Sequence, residues 1–117
     1  MKPTPDSGVL VRLQDWYASN CDGDWEHSAG VRIESLDNPG WTVLLDIAGT
    51  PIEGCVLDRV VVDNSEENWL HYWSDGNSIG AAGSPHRLRD ALTVILDRVS
   101  EWQMEHSKGP SSESSSE

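Results

Sequence analysis

From Val31 to Ser74 apolar residues recur at every second position, in runs that short turn-forming clusters keep too brief for helices. Val31 and Ile33 alternate with Arg32 and Glu34, and Trp41, Val43, Leu45 and Ile47 alternate with Thr42, Leu44, Asp46 and Ala48. Val60 and Val62 alternate with Arg59, Val61 and Asp63, and Trp69 to Ser74 makes a fourth run. A period of two sends neighbouring side chains to opposite faces of a strand, so these runs predict a sheet with one buried face. Asp37-Asn38-Pro39-Gly40 fits a tight connection: Pro39 fixes φ and Gly40 accepts a positive one, which predicts an antiparallel hairpin from the first two runs. The Gly-rich piece Ile79 to Gly83 fits a short fifth strand or a loop.

Helical spacing brackets the strands. Val9, Leu10, Leu13, Trp16 and Tyr17 share one face after a cap at Asp6 or Ser7, and Asn20 is a stop signal. Leu88, Ala91, Leu92, Ile95, Leu96, Val99 and Trp102 form a longer stripe opened by Ser84 or Pro85. Helix, strands with short turns, helix predicts an α+β fold: an antiparallel four- to five-stranded meander sheet with the N-terminal and C-terminal helices packed on one face. A chain of 117 residues makes one domain. The expected division is a flexible lead over 1–7, a domain over 8–106 and a disordered Ser/Glu tail over 107–117.

Helices on one face leave the other open. Val31, Ile33, Trp41, Val43, Leu45, Ile47, Val60 and Val62 are expected under the helices, and Arg32, Glu34, Thr42, Leu44, Asp46, Arg59, Val61 and Asp63 opposite them. The fourth run contributes either Leu70 and Tyr72 or Trp69, His71 and Trp73 to the open face. The second set is expected there, because burying His71 among aliphatics costs desolvation. An open face of that kind is aromatic and charged, and suits recognition.

The acidic residues number 20 against 8 basic, a formal charge of -12. That balance disfavours nucleic-acid phosphates and anionic membranes as partners and favours basic ones. The segment MKPTPDSG has no apolar signal core and no run is long enough to span a bilayer, so a cytoplasmic location is expected, with Cys21 and Cys55 reduced.

The most distinctive stretch is Cys21 to Trp41, CDGDWEHSAGVRIESLDNPGW. Asp22, Asp24 and Glu26 surround Trp25 beside His27. A calcium loop needs a third ligand directly before a glycine at its sixth position and a glutamate closing it at the twelfth, and the stretch has neither. Zinc needs a second ligand pair, and none follows Cys21 and His27; no metal or other cofactor is expected. A catalytic reading takes Cys21 or Cys55 as nucleophile with His27, His71 or His86 as base, but nothing local marks either thiol as activated. A recognition reading makes Asp22, Asp24 and Glu26 an acidic rim around aromatic anchors, with Trp25 and Trp41 holding the loop to the core.

Trp16-Tyr17, CDGDWEH, the strand running into LDNPGW and the run Trp69-Leu70-His71-Tyr72-Trp73 together resemble the immunity protein 53 family of bacterial polymorphic toxin systems, over roughly residues 9–103. The resemblance implies a cytosolic protein that neutralises a cognate toxin by occluding its active or substrate-binding surface, and no catalytic residues. The contact residues expected are Asp22, Asp24, Glu26, Trp69, His71 and Trp73. Cys21, Trp25, His27, Asp37, Pro39, Gly40 and Trp41 are expected as a structural motif. The competing reading is a small Cys-dependent enzyme such as a sulfurtransferase.

Overall fold

The structure, a computed structural model, describes the backbone of residues 5–116 apart from Glu66, and the side chains of residues 8–105 apart from Asp63, Asn64 and Glu66. Helix α1 (Pro5–Asn20) and the single-turn α2 (Trp25–Ser28) precede β1 (Val31–Leu36), β2 (Gly40–Asp46), β3 (Val56–Asn64), β4 (Trp69–Asp75) and β5 (Ser78–Gly83); α3 (Leu88–Ser116) closes the chain. The lead expected over 1–7 and the tail expected over 107–117 fall on residues whose side chains lie outside the described set.

The fold is α+β with a five-stranded open sheet, every pairing antiparallel, and the order β1-β2-β5-β4-β3. β1 and β2 form the expected hairpin and β3, β4 and β5 form a meander, but the two units join through β2 and β5 rather than through consecutive strands. The 47–55 connection makes this arrangement. It passes the β4–β5 turn, where the amides of Ile47 and Gly54 donate to the carbonyls of Asn77 and Gly76, both at 2.8 Å, and it buries Ile52 completely.

The Gly-rich segment, ambiguous in sequence, is therefore the central strand. Small residues are required there because large neighbours lie across it. A Cβ on Gly80 would stand 2.7 Å from Leu44 Cδ2 and 2.8 Å from Trp73 Cζ2, closer than carbon atoms approach.

Val43, Leu45, Leu70, Ile79 and Ala81 of the sheet pack with Ala91, Leu92, Ile95, Leu96, Val99 and Trp102 of α3, and α1 adds Val9 and Trp16 to the same core. α3 lies over β2, β4 and β5, with α1 alongside α3. Two residues expected in the core leave it. Ile33 is 40% exposed because β1 is an edge strand, and Val62 is 47% exposed because it falls in one of two register shifts along β3. Leu10 and Tyr17 of α1 are also exposed.

Candidate functional site

The Cys21–Ala29 loop is a closed hydrogen-bonded turn. Asp22 Oδ1 accepts from the amides of Asp24 and Trp25, each at 3.0 Å, and Glu26 reaches back with Oε1 on the amide of Asp22 and Oε2 on that of Gly23, each at 2.9 Å. Two carboxylates thus satisfy four backbone donors reciprocally, on the logic of a capping box. The Trp25 and Asp24 amides hold the Asp22 carboxyl below its ordinary range. Glu26 is lowered too, by its own amide and by those of Asp22 and Gly23, with the charge of His27 adding to the effect. Asp24 is exposed and its side chain makes no cap bond. Of the three acidic residues, it is the one whose carboxylate the turn does not engage.

Trp25 explains why the turn exists. It is 7% exposed, its ring meets Trp16 edge-on at 5.8 Å and Tyr17 at 5.8 Å, and its Nε1 donates to the Ala48 carbonyl at 3.1 Å. Gly49 lies under it: a Cβ there would stand 3.1 Å from Trp25 Cδ1. The loop therefore ties α1 to the end of β2. Trp41 has a comparable anchor, donating from Nε1 to the Pro85 carbonyl at 2.9 Å. Gly40 has φ +156, and its missing Cβ would lie 2.5 Å from the Gly83 carbonyl oxygen on β5.

The helix-free face of the sheet is organised in cross-strand rows. Arg32, Leu44, Gly80 and Trp73 form one; Glu34, Thr42, Ala82, His71 and Val61 form the next. Trp69, His71 and Trp73 lie on this face as expected, each partly exposed, while Leu70 is buried on the other. Trp69 and His71 rings meet edge-on at 5.6 Å. The Arg59 guanidinium stacks 4.3 Å from the centre of the Trp73 ring and comes within 3.4 Å of His71 Nδ1. Alternation predicts Arg59 on this face, whereas its contact with Trp73 depends on the β3–β4 pairing, whose register shifts no local pattern specifies.

At the end of this face, a groove of about 590 Å³ is lined by Asp22, Asp24, Arg32, Asp46 and Ser78 among others. Asp46 Oδ2 accepts from the Gly30 amide at 2.9 Å and its Oδ1 from the Ser78 hydroxyl at 3.3 Å. Arg32 and Asp46 carry the groove onto the row that holds Trp73, so the structure brings the acidic loop and the aromatic set to one side of the molecule. Among the described residues the face carries Arg32 and Arg59 together with Glu34, Asp46 and, at the end of β4, Asp75.

Among the described residues no group of three His, Cys, Asp or Glu side chains is arranged to hold a metal. Cys21 and Cys55 are not joined in a disulfide. Cys21 Sγ donates to the Tyr17 carbonyl at 3.3 Å, and burial pushes the Cys55 thiol up, the opposite of what activates a nucleophile. Among the described residues no helix is long and apolar enough to cross a membrane.

No curated protein and no solved structure matches the chain. A family model does: that of immunity protein 53, over residues 10–101. The match spans the turn that seats Trp25, all five strands and the α3 stripe nearly to Trp102, and so the chain belongs to the immunity protein 53 family.

Proposed function

We propose that this protein acts in the cytoplasm by binding, with no chemical turnover, and neutralises a cognate bacterial toxin by covering its active or substrate-binding surface with the helix-free sheet face. The observation that carries this reading is the set Trp69, His71, Trp73 and Arg59, held at least partly exposed on the sheet face opposite α3. Trp and Arg are the side chains that most often dominate binding energy, and a preformed strand costs little to order on binding. An interface of roughly 800 Å² per partner is feasible for a protein of this size. Asp24 and the groove beside Asp46 form an acidic border to it. A formal charge of -12 favours a basic toxin, of the kind that acts on nucleic acid.

The test is co-expression with a candidate cognate toxin domain, sought first among the neighbouring genes, then isolation of the complex and titration of variants. Trp73→Ala and Trp69→Ala are expected to weaken binding by roughly 30-fold or more each, the scale of a hot-spot truncation. A folded double variant that binds and protects like the native protein would exclude this face.

A further inference from the structure

We propose that β1 is a dimerisation edge, across which two copies of this chain pair antiparallel about a two-fold axis at Ile33. The sheet has two edges, and they differ. β3 carries two register shifts, which twist an edge and block further pairing. β1 pairs with β2 one-for-one through six consecutive positions, and Arg32, Ile33, Glu34 and Ser35 are all exposed. It is a regular edge without the bulges that protect β3.

The backbone polarity of that edge follows from one bond. The Asp46 amide donates to the Gly30 carbonyl at 3.0 Å, which makes Gly30 and Asp46 a hydrogen-bonding position. Alternation along an antiparallel ladder then turns the amides and carbonyls of Arg32 and Glu34 toward β2, and those of Val31, Ile33 and Ser35 outward. With the axis at Ile33, Ile33 bonds its counterpart and Val31 bonds Ser35 of the second copy, in both directions.

Charge selects this register. With the axis at Ile33, each Arg32 faces a Glu34 of the second copy at the non-hydrogen-bonded positions, where side chains come closest. Moving the axis to the neighbouring residue on either side sets Arg32 against Arg32 or Glu34 against Glu34. The strand VRIESL is thus complementary to itself in one register and repulsive in the two adjacent ones. On the helix side, Ile33, 40% exposed, packs on its counterpart. Two five-stranded sheets become one of ten. The axis is perpendicular to the sheet, so both helix-free faces point the same way. The contact is small, so the dimer is a weak, reversible one. The inference does not depend on toxin binding.

Sedimentation of the full chain over a wide concentration range tests it, with amide hydrogen exchange on the same samples. A reversible monomer–dimer equilibrium is expected, with the Ile33 amide protected only as the dimer fills. Arg32→Glu turns both facing pairs repulsive and should weaken association about tenfold or more, and the charge-swapped Arg32→Glu/Glu34→Arg protein should recover it. Ser35→Pro removes an outward amide, leaves the β2 ladder intact and should give a monomer with an unchanged circular dichroism spectrum. A chain monomeric at every concentration, a dimer whose Ile33 amide exchanges freely, or a charge-swapped protein no tighter than Arg32→Glu would overturn the proposal.

Discussion

Replacing Trp25 by alanine tests the claim that the acidic turn exists to seat one indole. The side chain is 7% exposed, packs on Trp16, Tyr17 and Gly49, and spends its N–H on the Ala48 carbonyl. A buried tryptophan hides on the order of 150–250 Å². At about 25 cal/mol per Å² that corresponds to about 4–6 kcal/mol, and partial collapse of the site lowers it toward the 3–5 kcal/mol typical of such truncations. The hydrogen bond contributes about 1 kcal/mol of this, so Trp25→Phe, which keeps most of the packing, should cost only about 1–2 kcal/mol. Against a total stability of roughly 5–15 kcal/mol, Trp25→Ala is a large loss. Urea unfolding followed by far-UV circular dichroism reads it without interference from the other five tryptophans. With a slope near 2 kcal/mol per molar, the midpoint should fall by about 2 M for Trp25→Ala and by under about 1 M for Trp25→Phe. A fall below about 0.5 M for Trp25→Ala at an unchanged slope would refute the anchoring role and return the loop to a surface function.

Further outcomes are expected. Gly40→Ala places a Cβ 2.5 Å from a carbonyl on the neighbouring strand and should lower the melting temperature by about 10 °C or more, whereas Gly23→Ala, with nothing within 4 Å, strains only its own backbone at φ +97 and should cost less. The folded pKa values of Asp22, Glu26 and Asp75 are lowered, Asp75 by the amides of Asn77 and Ser78. Their contribution is therefore complete above the unfolded values of 3.8 and 4.5 and is lost as pH falls through the folded ones. Thermal melts from pH 7 to 3 should show stability dropping only below about pH 4.5, and Glu26→Gln should flatten that drop. Cys21→Ser/Cys55→Ser should leave protection against the toxin intact; loss of protection by a folded double variant would favour thiol chemistry. Association with the toxin should slow markedly from low to physiological salt, and a flat dependence would assign binding to the aromatic side chains alone.

Much of this fold was legible because period and turn chemistry are local. The β1–β2 hairpin followed from the alternation at Val31 to Ile47 and from Pro39-Gly40, and the α3 stripe from its 3.6-residue spacing. The side taken by Trp69, His71 and Trp73 followed from the cost of burying an imidazole. β5 was not legible, since two glycines and two alanines carry little strand signal of their own. Their meaning lies in Leu44 and Trp73, which belong to other strands. Nor were the partners of Asp22 and Glu26. A carboxylate in a loop reads as surface charge until the amides it accepts from are placed.

By itself the sequence determined the class, an antiparallel sheet with terminal helices, because burial of alternating and helical apolar faces admits few other solutions. It also carried the motifs that mark the family. Tertiary structure alone decided the strand order, because pairing of β2 with β5 depends on the path of residues 47–55 and on contacts distant in the chain. It also decided which acidic residues are occupied by the backbone and which edge is left regular. The Cys21–Trp41 stretch combines both: its composition marks it out, and its geometry spends Trp25, Asp22 and Glu26 on holding the chain, so that of its acidic residues Asp24 alone stays within the proposed partner surface.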